Sequence, residues 1–213
     1  MKFICVTFLF ISLFFLFISC NDVVKKSQEM IIKNQAPPLE GKYFPLESDN
    51  IKIFLPKEFK KLSKDEYLSI IEQGKDSINL LSERDRLHRI KKSGWDIYFF
   101  EYLESSSILS VIPIEYVKFN RNDAQMLLNQ IKYDMDQSTE STGNEFTKVE
   151  ARFFETKEAQ IFKAIYNVEN KKDNLNFFRE IYFVSFNKKS FVLSLDAPVL
   201  VDFDPYLDKI RVL

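Results

Sequence analysis

Two stretches of this chain are apolar on both faces of an extended strand. In residues 95–103, Trp95, Ile97, Phe99 and Leu103 fall on one side and Tyr98, Phe100 and Tyr102 on the other. Residues 177–186 repeat the pattern, with Phe177, Ile181 and Phe183 against Phe178, Tyr182, Val184 and Phe186. A strand in a sheet wetted on one side alternates apolar with polar residues, so strands like these need a covering layer on each side. The chain therefore has to build a sandwich with its sheet in the middle.

Further strands are expected at 43–45, 51–56, 107–118, 146–155, 158–168 and 190–197. Polar turns such as Asn170-Lys171-Lys172-Asp173 and Asn187-Lys188-Lys189 join consecutive strands and imply antiparallel pairing. A helix begins at Ser63, where Ser63 and Glu66 form a capping box and Leu62 with Tyr67 a hydrophobic staple. Ile78, Leu81, Leu87 and Ile90 mark a second helix, and Ala124, Leu127, Leu128, Ile131 and Met135 a third over about 123–137. A short closing helix should start at Asp204-Pro205, with Asp204 as cap. The expected class is α+β: a mainly antiparallel sheet covered by helices on both faces.

The beginning of the chain is not part of that sandwich. Lys2 precedes an apolar run over 3–18 broken only by Thr7 and Ser12. As a helix this run reaches about 24 Å, short against roughly 30 Å of bilayer hydrocarbon, so it reads as a cleavable export signal. It closes Leu16-Phe17-Ile18-Ser19-Cys20. That ending resembles the lipobox of bacterial lipoproteins, with Phe17 where leucine is usual. The resemblance implies cleavage between Ser19 and Cys20, a diacylglyceryl group on Cys20, and stable attachment to an inner or outer membrane. The other cysteine, Cys5, would leave with the signal, so the mature domain would have no disulfide and would rest on its core alone. Residues 20–41 include Pro37-Pro38 and read as a tether spanning about 25 Å as a coil. The expected organisation is signal peptide 1–19, lipidated tether 20–41 and one globular domain 42–213.

Within 42–213 the order of elements resembles the PsbP-like α-β-α sandwich. The segments Ile51-Lys52-Ile53-Phe54-Leu55-Pro56 and Phe203-Asp204-Pro205-Tyr206-Leu207-Asp208-Lys209-Ile210 are similar to those of small PsbP-like lipoproteins of the Bacteroidetes group. Members of that fold are mainly non-catalytic binding or assembly proteins, and the resemblance carries over no catalytic residue.

Composition narrows the chemistry. A single histidine, His88, excludes sites built from two imidazoles in one chain. The four glycines are isolated, so neither a dinucleotide turn nor a phosphate loop can form. A net charge of −1 provides no global field for nucleic acid. No cofactor is expected.

His88 lies in a basic run and reads as part of a solvated helix face rather than a catalytic base. In that run Arg84, Arg86, Arg89, Lys91 and Lys92 offer a contact for lipid headgroups or a polyanion, although Glu83 and Asp85 dilute the charge. Asp202, Asp204 and Asp208 lack the spacing of a calcium loop and read as capping and surface residues. Trp95, Tyr98, Tyr102, Phe177 and Phe178 read as core, and a groove lined by them would be a binding site.

The expected function is a lipid-anchored protein of the bacterial cell envelope, in the periplasm or on the cell surface. It would be non-enzymatic and would bind or help assemble an envelope protein. The alternatives are an envelope hydrolase using Asp/Glu carboxylates, whose separation in space sequence cannot show, and a carrier of a small ligand.

Overall fold

Short apolar-in, polar-out stretches open the domain as β1 (Lys42–Leu46) and β2 (Ile51–Leu55), followed by β3 (Phe59–Leu62). Helices α1 (Lys64–Gln73) and α2 (Ser77–Lys92) come next. After β4 (Tyr98–Tyr102) and β5 (Ser107–Ile114) the chain forms α3 (Ala124–Thr142). Four long strands follow: β6 (Glu145–Glu155), β7 (Ala159–Asn170), β8 (Leu175–Phe186) and β9 (Lys189–Ala197). Helix α4 (Asp204–Leu207) and β10 (Arg211–Val212) close it. The computed structural model describes residues 39–73, 77–172 and 174–212. Ser19 and Cys20, with the whole expected signal and the tether up to residue 38, lie outside the described residues.

The main sheet has seven strands in the order β3-β4-β5-β9-β8-β7-β6, every neighbouring pair antiparallel. β1, β2 and β10 form a separate antiparallel sheet of three. The architecture is thus the expected α+β sandwich around a mainly antiparallel sheet. On one face, α3 packs Ile131 and Met135 on Phe162, Ala164, Tyr166 and Val168, and α1 and α2 pack Tyr67 and Leu87 on Phe99. On the other, Phe44, Leu46, Ile51, Ile53 and Leu55 of the small sheet, with Phe203 and Leu207, cover Phe100, Leu109, Tyr182 and Leu193. Much of this second layer is therefore sheet, with α4 as its helix.

The start of α1 follows the sequence closely. Ser63 Oγ accepts from the Glu66 amide at 3.2 Å while Glu66 Oε2 accepts from the Ser63 amide at 2.7 Å. Leu62 and Tyr67 sit in one buried cluster, as a staple requires. Helix α3 is preceded by a 3-10 turn capped reciprocally by Asn120 and Asp123. It runs on to Gly143, whose φ of 74° is a left-handed stop.

Four expectations are corrected. β4 occupies only the middle of 95–103, because the Trp95 amide is drawn back to the Ile90 carbonyl (3.3 Å) at the end of α2; Trp95 and Leu103 are exposed. β5 stops at Ile114 rather than 118, and its tail turns to bury Phe119 under α3. The short strands β3 and β10 escaped the pattern, having too few residues to show an alternation. Asp204 does not cap α4: Phe203 is the cap position, no side chain caps it, and the Asp204 carboxylate is engaged elsewhere.

Candidate functional site

Strand β8 carries two consecutive charges, Arg179 and Glu180, in an otherwise apolar run. Because successive strand residues face opposite ways, each reaches a different side of the sheet. Burying a charge is costly unless it is paired and hydrogen-bonded, so each must find partners, and each organises a cluster.

Glu180 faces the small sheet and is fully buried (0% exposed), beside Lys163 of β7 (5% exposed) at 3.5 Å. Its Oε2 accepts from the Tyr182 hydroxyl at 2.5 Å and its Oε1 from the Val201 amide at 3.1 Å. Lys163 Nζ donates also to Asp204 Oδ1 at 3.0 Å, and Arg152 of β6 closes on the same carboxylate from the rim. Burial pushes the Tyr182 phenol pKa far up, and the Glu180 charge adds to it, so the hydroxyl stays a donor at any physiological pH. The cluster is self-contained. Chemically it fastens the segment holding Val201 and Asp204 onto the sheet.

Arg179 faces the helix layer and makes a two-pronged contact with Asp196 of β9, at 2.7 and 2.6 Å. Above it Arg86 of α2 binds Glu83 at 2.6–3.0 Å, and Glu83 accepts from the Tyr67 hydroxyl at 3.0 Å. Burial pulls the Arg179 pKa down, but the Asp196 charge and hydrogen bonds outweigh it and leave the pKa raised. The same balance, with Glu83 as the partner, raises that of Arg86. Tyr67 is raised by burial first and by the Glu83 charge second. The rings of Phe177 and Phe146 flank the Arg179 guanidinium at 5.6 and 5.9 Å. None of these carboxylates stands apart from a partner as a general base would.

The structure disperses the basic run of α2. Arg86 turns toward the sheet and binds Glu83, and Arg84 binds Glu72 of α1 at 2.8 Å. Arg89, Lys91 and Lys92 remain exposed near the helix end beside Trp95, with His88 also exposed. The aromatics are not gathered either. Tyr98 and Tyr102 pack against the small-sheet core, Phe177 against α3, and Trp95 stands in solvent. Asp202, Asp204 and Asp208 do not join a cluster of metal-ligating residues among the described residues.

Among the described residues, two of the hollows on the surface stand near the elements above. One of about 320 Å³ lies between the start of α3 and β6, floored by Leu128, Phe153 and Phe162 with Arg121 and Arg152 at its edge. The other, about 430 Å³, runs along α1 and is lined by Lys60, Asp65, Glu66, Ser69 and Glu101. The first meets the Glu180 cluster only through Arg152, and the second touches neither cluster. Lys163, Arg179, Glu180 and Asp196 were passed over in the sequence, although a charge inside a doubly apolar strand is itself the signal that a buried partner exists.

No protein-family model matches the chain, and no curated protein matches it. Among solved structures the chain is similar to the solution structure of cyanobacterial PsbP (CyanoP) from Synechocystis sp. PCC 6803. The TM-score is 0.53 at 12% identity, over 84% of this chain and 96% of that one. At that identity the likeness is one of fold, and the fold is PsbP-like.

Proposed function

We propose that the protein is a lipid-anchored, non-catalytic domain of the bacterial cell envelope that binds or helps assemble an envelope protein. The observation that carries this reading is the apolar run over 3–18 ending in Ser19-Cys20, followed by a proline-containing tether. Support comes also from the buried and half-buried charges, which are spent on one another: Glu180, Asp204, Asp196 and Glu83 each bind a cation, and Tyr182, Tyr67 and a backbone amide complete the sets. The PsbP-like fold fits a role of binding rather than turnover.

Metabolic labelling with an alkyne fatty acid tests the anchor. Wild-type protein takes up the label and stays with membranes, and Cys20→Ala does neither. Equal labelling of both refutes the assignment. Crosslinking in intact cells followed by capture tests the binding role. Recovery of no partner, together with turnover of an envelope substrate by purified protein, would replace the binding role with the hydrolase.

A further inference from the structure

The small sheet has a second face. β1 and β2 turn Phe44, Leu46, Ile51, Ile53 and Leu55 into the core, which leaves Tyr43 and Phe54 on the outer side. These two residues are paired in register, and their rings meet edge-on at 5.1 Å. Phe54 stacks in turn on Tyr206 at 6.3 Å. Tyr43 is 41% exposed, so the aromatic row begins at the surface.

Cations are interleaved with it. Lys52 Nζ lies 5.0 Å over the Tyr43 ring and sits opposite Arg211 of β10 in register. Lys42 falls on the inward side of β1 with Phe44, 5.0 Å over that ring, and so lies at the rim rather than on this face. Among the described residues neither Lys52 nor Arg211 has a carboxylate partner, whereas neighbouring Lys57, Lys60 and Lys61 all do. Acids are kept to the margin. Glu40 is engaged by Lys57, and Glu58 and Asp202 lie by Tyr206, whose phenol pKa burial and these charges raise. Aromatic rings with basic tips around them are the side-chain chemistry of a bilayer interface, where rings sit among headgroups and ammonium groups reach the phosphates.

We propose that this face seats the domain on an anionic bilayer surface, with Tyr43 and Phe54 at headgroup level and Lys52 and Arg211 on lipid phosphates. The inference rests on the anchored reading, because β1 is the first strand after a tether that spans only about 25 Å and so keeps the domain at high local concentration near lipid. Weak contacts then suffice.

Residues 39–213 contain every residue of the three cores, and this fragment lacks the anchor. It is co-sedimented with vesicles of phosphatidylcholine and phosphatidylglycerol at about three to one, and with phosphatidylcholine alone. The parent fragment should prefer the anionic vesicles and lose that preference with added salt. Lys52→Gln/Arg211→Gln should bind roughly 25-fold more weakly, at roughly fivefold for each neutralised cation. Lys52 has no carboxylate partner and Arg211 binds only the Asp208 and Ile210 carbonyls next to it in the chain, so the melting temperature should change little while binding is lost. No preference for anionic vesicles overturns the proposal, and so does binding by the double variant within about twofold of the parent. A loss that appears instead in Lys91→Gln/Lys92→Gln overturns it in favour of the end of α2. Because the fragment has no Cys20, failure here leaves the labelling result standing, and failure of labelling leaves this one.

Discussion

Replacing Lys163 with methionine removes the ammonium that joins Glu180 to Asp204 and keeps most of the packed stem. Glu180 is then left fully buried with only the Tyr182 hydroxyl and the Val201 amide, while Asp204 retains Arg152. Taking one partner from a buried pair costs about 3–5 kcal/mol, because the remaining charge can neither pair nor reach water. For a domain of this size each kcal/mol is worth about 2–4 °C, so the melting temperature should fall by about 6–20 °C. Urea unfolding should move to a lower midpoint with an unchanged slope. The double variant Lys163→Met/Glu180→Gln should recover about 2 kcal/mol, since the uncharged glutamine oxygen still accepts from the Val201 amide while its NH2 donates to the Tyr182 hydroxyl oxygen. A loss below about 1 kcal/mol for Lys163→Met, the worth of an exposed pair, would refute the reasoning. So would a double variant no better than the single one.

Two further outcomes follow from local geometry. Lys60 and the Ser63 cap hold the Glu66 carboxyl down at about 2 from 4.5, so its contribution is complete above pH 4.5 and is lost as pH falls toward 2; Glu66→Gln should flatten that limb of an acid titration followed by circular dichroism. A methyl group added at Gly41 would stand 2.4 Å from the Leu55 carbonyl oxygen and 2.8 Å from the Phe54 ring, so Gly41→Ala should cost about 1–3 kcal/mol in urea unfolding.

What could be read from the sequence was whatever repeats over several residues. The strands with two apolar faces required a layer on each side, and both layers are there. Ser63-x-x-Glu66 with Leu62 and Tyr67 announced α1 because each interaction spans only a few residues. β3 and β10 were missed because they are defined by their neighbours, β4 and β2, and not by their own pattern. Trp95 was drawn into a strand by its apolarity, whereas the left-handed turn at Gly94 keeps it on the end of α2. The charge clusters depend on long-range pairing. Lys163 and Asp204 are 41 residues apart, and only the tertiary fold brings the start of α4 to β7. Asp204 looked like a cap because the capping rule is local, and it lost that role to two cations that no local rule brings near.

The adjacency of Arg179 and Glu180 also protects the pairing of β8. A slip of one residue against its neighbours would exchange the two faces of the strand. In a run this apolar, Phe, Ile, Tyr and Val would simply trade places, at little cost in hydrophobic burial. The two charges would not. Slipped one way, Arg179 would take the place of Glu180 beside Lys163; slipped the other way, Glu180 would take the place of Arg179 opposite Asp196, so either slip sets like charges together in one layer. The pair therefore works as a key that fits only one alignment, and it gives a largely apolar strand a way to tell its correct mate from a near miss.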